Sequence, residues 1–167
     1  MDIPFIIAQV VALACCAVSC ASYLAKKRRY FLFWQLVNNV LYGIQYALLG
    51  AFAGVASNAV SVAKYAIFMH NDSKGKDNSK IELLVFLVLS FGMGLLFLDG
   101  WYTAVPIVTS LLFTFAAWQK SERLLRVIGI VCCALWIWYN LSVRAYVSAA
   151  YSFAELLCAL VTLIKRK

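Results

Sequence analysis

Apolar residues run through the chain in seven blocks, Ile3–Ala25, Tyr30–Gly50, Phe52–Met69, Leu83–Leu98, Trp101–Trp118, Leu124–Leu141 and Tyr146–Ile164, separated by short polar or charged segments. Each is near or slightly below the roughly 20 residues a helix needs to cross about 30 Å of hydrocarbon. The pattern predicts an all-α chain of seven transmembrane helices. Two separators are thin, Gly50-Ala51 and Asp99-Gly100, but fusing either pair would give a helix of about 40 residues, twice the bilayer thickness. Polar side chains interrupt the blocks at helical spacing. Asn38, Tyr42 and Gln45 step along the second at i, i+4, i+7, and Gly54, Asn58, Ser61 and Lys64 along the third. Each helix therefore carries one small, polar or aromatic stripe among Leu, Ile, Val and Phe.

Composition places the chain in lipid. It is 65% hydrophobic and 13% charged, against about half and a quarter for a soluble domain. Charge then sets the orientation. With the N-terminus outside, the inner segments hold 13 of the 15 Lys and Arg residues, Arg144 lies outside and Lys64 within a span. That asymmetry follows the positive-inside rule, so the expected topology is N-out and C-in. The net charge of +8 reads as a basic cytoplasmic face beside anionic lipid, with no nucleic acid partner implied. Asp2 and the absence of basic residues before the first block make it a retained helix instead of a signal peptide. The six cysteines all lie inside spans without C-x-x-C spacing, as small packing residues. One histidine, His70, and no glycine-rich phosphate loop argue against an enzyme and against a metal or cofactor.

The blocks group as three, one and three. The polar segment 71–80 separates residues 1–70, a first triple-helix bundle, from a linker helix within 71–98 and a second bundle over 99–167. Residues 26–58 align over 120–152 without a gap at an offset of 94, with six identities in 33. Asn38, Tyr42 and Gln45 then fall on Cys132, Trp136 and Tyr139, while Gly54, Asn58 and Ser61 fall on Ser148, Ser152 and Glu155. Three helices end on the side opposite to where they began, so two parallel triplets need one extra crossing. The fourth block supplies it, and its Gly92 and Gly94 suit close helix packing. Secondary transporters include such parallel repeats, with the solute site at the repeat interface near mid-membrane.

A charge at the bilayer centre costs on the order of 3 kcal/mol and normally faces protein or a water-filled cavity. Lys64 lies about 18 Å down its helix and Glu155 about 14 Å down its own. Three readings follow for this pair: Lys64 snorkelling to the cytosolic interface with Glu155 hydrogen-bonded in the bundle, an ion pair between them, or contacts to a solute or proton. Depth favours snorkelling for Lys64, whereas Glu155 has no such escape. Asn58 and Ser152, with aromatic faces from Tyr42, Trp136 and Tyr139, suit a polar ring-shaped solute; the same amide and hydroxyl also serve ordinary interhelical bonding. Pro106 is expected to kink the fifth span. Oligomeric state is left open.

The run "KKRRYFLFWQLVNNVLYGIQYALLGAFAGVASNAVSVAKYAIF", residues 26–68, with "DGWYTAVPIVTSLLFTFAAWQKSERLLRVIG", residues 99–129, resembles the YgjV family of bacterial inner-membrane proteins. Its most specific pieces are "YALLGAFAG" followed by an Asn, and "AAWQKSERLLR". That family is distantly similar to the SWEET sugar facilitators and PnuC vitamin transporters, which share a three-one-three arrangement. There an Asn on the third and seventh helices and a Trp on the second or sixth shape the solute site. The resemblance carries these roles onto Asn58 and Trp136. Ser152 and Tyr42 depart from the pattern, and Pro4 and Pro106 are the only prolines. The implied function is a small polar-solute facilitator, the alternative being a membrane scaffold or accessory protein whose polar stripes only pack helices.

Overall fold

The computed structural model describes residues 3–97 and 100–165. Asp2, Leu98, Asp99, Arg166 and Lys167, used above for the retained first helix, a span boundary and charge asymmetry, lie outside them. Seven α-helices follow one another: α1 (Ile3–Leu24), α2 (Arg28–Leu48), α3 (Phe52–Ser73), α4 (Lys80–Leu96), α5 (Ala104–Trp118, preceded by a 3-10 turn at Trp101–Thr103), α6 (Glu122–Ser142) and α7 (Tyr146–Lys165).

All seven apolar blocks coincide with helices, and four are long and apolar enough by themselves to cross a membrane: α1, α3, Trp101–Trp118 and α6. α2 falls short because Gln35, Asn38, Asn39 and Gln45 dilute its hydropathy, and α4 because it has only 17 residues. Polar side chains are buried beside the apolar core, and many large apolar ones face outward. Asn38, Gln45, Asn58, Lys64, Asn140 and Glu155 are buried, whereas Ile3, Val10 and Leu13 on α1 and Ile81, Leu84, Val88 and Leu96 on α4 are exposed. A water-soluble fold would invert that distribution, and an apolar solvent explains it.

Helix neighbours form a closed circuit, α1 to α2, α3, α5, α6, α7 and back to α1, with α4 packed outside on α3 and α5. Gly94 allows the α4–α5 approach, since a Cβ there would lie 2.2 Å from Ile107; at Gly92 a Cβ would meet nothing within 4 Å. The turn after α2 repeats after α6. Ala51 N–H donates to Tyr46 O at 2.9 Å and Ala145 N–H to Asn140 O at 2.8 Å, each around a left-handed residue, Gly50 (φ 70°) and Arg144 (φ 61°). This six-to-one bond is the Schellman closure.

Two expectations are corrected here. α5 begins at Ala104, so Pro106 occupies its first turn, where no intrahelical bond is lost and no kink results. α3 continues to Ser73 because its last polar residues find partners: Asp72 pairs with Arg28, and Asn71 donates to Glu82 at 3.0 Å. Glu82 also completes a capping box with Ser79 that starts α4.

Candidate functional site

A cavity of about 70 Å³ lies inside the circuit of helices, enough for a few waters or part of a small solute. Nine of its lining residues come from α2 and α3, among them Asn38, Asn39, Tyr42, Tyr46, Asn58 and Ser61. Six more come from α6 and α7, each 94 positions later: Cys132, Cys133, Trp136, Asn140, Ser152 and Glu155. Residues aligned by the 94-residue offset thus meet around one space. Tyr46 donates to Asn140 Oδ1 at 2.7 Å, and Asn140 in turn donates to Ser152 Oγ at 3.4 Å.

Of the residues singled out from sequence, Asn58, Ser152, Tyr42, Trp136 and Glu155 line this cavity and Tyr139 does not. Tyr42, Tyr46 and Trp136 stack in series, with ring centroids 5.7 and 5.9 Å apart, and Tyr139 stands edge-on to Tyr46 at 5.6 Å and to Trp136 at 5.2 Å. The aromatics therefore form a roof, not two facing walls. Above it opens a vestibule of about 500 Å³, lined by the α2–α3 and α6–α7 turns, Tyr102 and Tyr139. Gly54 admits the roof, because a Cβ there would lie 2.7 Å from the Tyr46 ring.

Below the roof the lining is polar. Asn58 Nδ2 donates to Gly54 O in its own helix at 2.7 Å. Asn38 Nδ2 donates to Ser19 at 2.5 Å, leaving its buried Oδ1 without a partner. The Ser19 and Tyr151 hydroxyls lie against the Glu155 carboxyl. Gln45 and Ser148, one helix turn from the cavity, exchange bonds of 2.7 and 2.9 Å across α2 and α7.

Lys64 does not snorkel. It is 0% exposed, donates to Thr114 Oγ1 at 3.1 Å across α3 and α5 and lies 4.9 Å from the Tyr65 ring centroid. Among the described residues no carboxylate lies within ion-pair range of it, so Lys64 and Glu155 are not paired. Its register with Asn58 and Ser61, not its depth, decides which way it points. Gln9 accepts from Val147 N–H at 3.2 Å, linking α1 to α7.

The basic end of the bundle is sealed by crossing contacts. Arg28 on α2 pairs with Asp72 on α3 and donates to Ala117 O at the end of α5, while Arg126 on α6 donates to Tyr23 O at the end of α1 at 3.3 Å. Tyr23 and Ala117 are themselves 94 positions apart. Burial pulls the Arg28 guanidinium below its usual pKa, and Asp72 opposes that shift. Lys120 adds contacts to Asp77 at 3.0 Å and Asp72 at 3.8 Å.

Tyr46, Asn140 and Asn38 were not singled out from sequence as site residues. The signal for the first two was the offset itself, which places them at equivalent positions, although Tyr and Asn share no side-chain chemistry. No curated protein and no solved structure matches the chain. The sequence model of Imp-YgjV, bacterial inner membrane protein, matches residues 6–167, and the chain belongs to this family of bacterial inner-membrane proteins.

Proposed function

We propose that the chain is a multi-pass facilitator or transporter of small polar solutes. In this reading α1–α3 and α5–α7 are two parallel triple-helix units, α4 is the linker between them, and the basic end faces the cytoplasm. The observation that carries it is the cavity lined by six pairs of repeat-equivalent residues. A site shared by two equivalent halves can open to either side when the halves rock. Beneath the aromatic roof, Asn58, Ser152, Ser61 and Glu155 offer hydrogen bonds to a neutral or weakly charged polar solute, and the free Asn38 Oδ1 adds an acceptor.

The Tyr46–Trp136–Tyr139 cluster stands between the cavity and the vestibule, and the Arg28 and Arg126 contacts tie the helices together at the basic end. That arrangement supports an occluded state of an alternating-access cycle. The test is uptake into proteoliposomes or cells across a panel of sugars, nucleosides, vitamins and amino acids. Asn58→Ala and Trp136→Ala are expected to abolish uptake while the protein stays folded; unchanged uptake in both overturns the site. The reciprocal Gln45–Ser148 bonds favour a second reading, a non-transporting scaffold glued by polar stripes. There the same substitutions lower stability and change no flux.

A further inference from the structure

Among the described residues, Glu155 is the one acidic side chain that lines the central cavity, and no Lys or Arg lines it. The carboxyl belongs to a buried residue, 8% exposed, and has no cation in ion-pair range among the described residues. The titratable groups that face it are thiols and phenols: Cys15, Cys16, Cys20 and Tyr23 on α1 and Tyr42 and Tyr46 on α2. Cys133 on α6 and Tyr151 on its own helix complete the set. None of these carries a positive charge in any state. A carboxylate here would be a buried charge without a counter-ion.

The hydrogen bonds around the acid have a direction. Tyr151 donates its hydroxyl proton to Cys15 O at 2.9 Å, and a carbonyl oxygen can only accept. Where the same hydroxyl lies against the Glu155 carboxyl, it therefore presents lone pairs. A carboxylate is repelled by them, whereas a carboxylic acid donates to them. Ser19 supplies the complement. Its Oγ accepts from Asn38 Nδ2 at 2.5 Å, which leaves its O–H for the carboxyl. The acid thus meets one donor and one acceptor, a pair that a neutral carboxyl satisfies and a carboxylate does not. Asn38 ties this group to the cavity, since it lines the space and its buried Oδ1 has no partner.

We propose that Glu155 is a proton-binding site that gates the central cavity: the helices close over its carboxyl when it carries a proton, and loss of that proton opens the cavity to water. The proton comes from water and returns to water, and the carboxyl O–H bond is the only bond made or broken. The carboxylate left behind needs more hydration than the few waters that about 70 Å³ holds. This gate deepens the transport reading, because it controls the same cavity, yet it is read without any solute.

The experiment uses Cys132, whose buried thiol lines that cavity. The full chain, with Cys132 as its sole cysteine, is labelled with a membrane-impermeant methanethiosulfonate across a pH series, with and without Glu155→Gln. Dividing the two rates at each pH cancels the ionisation of the thiol itself. The ratio of the parent to the Glu155→Gln chain is expected to be close to unity at acid pH and to rise about tenfold or more by about pH 9. A ratio that stays flat overturns the proposal. The infrared spectrum of the wild-type chain is a second readout that depends on no variant. It is expected to show the carbonyl stretch of a protonated carboxyl at neutral pH, shifted by isotope labelling of glutamate; the other glutamates, Glu82 and Glu122, lie in the first turns of α4 and α6. Absence of that band overturns the proposal equally. Solute uptake enters neither measurement, so a panel without uptake contradicts the transport reading alone.

Discussion

Tyr46 and Asn140, 94 residues apart on α2 and α6, hydrogen-bond to each other at 2.7 Å. In the proposed reading of two parallel repeats these are equivalent positions, and equivalent residues touch only close to the axis that relates the repeats. Both side chains are buried. Tyr46→Phe strips Asn140 Oδ1 of its donor and is expected to cost about 1–3 kcal/mol, as is Asn140→Leu. The double variant removes both polar partners and should cost clearly less than the sum. Equilibrium unfolding of the four proteins in mixed micelles measures the coupling; strictly additive losses would show that the bond contributes nothing.

The aromatic roof makes Cys132 a native reporter of access. Its side chain is 0% exposed yet lines the cavity below Tyr46 and Trp136. In a variant keeping Cys132 as the sole cysteine, a membrane-impermeant methanethiosulfonate is expected to react slowly. Tyr139→Ala removes two edge-on ring contacts, each worth about 0.5–1.5 kcal/mol, and should speed labelling about tenfold or more. An unchanged rate would mean that Tyr139 closes nothing.

Lys64 is a buried cation that donates to the Thr114 hydroxyl and lies over the Tyr65 ring, with no carboxylate in ion-pair range among the described residues. Burying such a charge works against folding, and an apolar residue of similar length avoids that cost. Lys64→Met is therefore expected to unfold at the same or a higher temperature than wild type. A loss of more than about 1 kcal/mol would show that the ammonium stabilises the α3–α5 seam more than its desolvation costs.

At the basic end, Arg28 and Lys120 both approach Asp72 but differ in burial. Arg28 and Asp72 side chains are 10% and 14% exposed, Lys120 32%. Arg28→Ala strands a nearly buried carboxylate and an α5 carbonyl and is expected to cost about 3 kcal/mol. Lys120→Ala should cost under about 1 kcal/mol. Chemical denaturation of the two variants side by side decides it; equal losses would contradict the assigned roles.

Helix positions were legible because lipid imposes a long apolar run, and all seven runs became helices. The stripe containing Asn58 and the 94-residue offset were legible too, and together they reached part of the cavity lining. Helical register was harder to use than depth. Lys64 was assigned to the interface from its distance down the helix, whereas its face sends it to Thr114. Tyr139 was grouped with Trp136 from spacing, but the roof turns its hydroxyl toward the start of α3. Pro106 looked like a mid-helix break because no apolar-pattern signal separates a 3-10 turn from the first turn of α5.

The most direct measurement is a thermal-stability screen of the purified chain against sugars, nucleosides, vitamins and amino acids. A ligand confined to the folded state adds about 2.7 kcal/mol at 100 times its dissociation constant, so a specific solute is visible. The account predicts a stabilising neutral or weakly charged polar solute whose effect disappears in Asn58→Ala and Trp136→Ala. No stabilisation across the panel, with both cavity variants merely less stable, would contradict a solute site between the repeats.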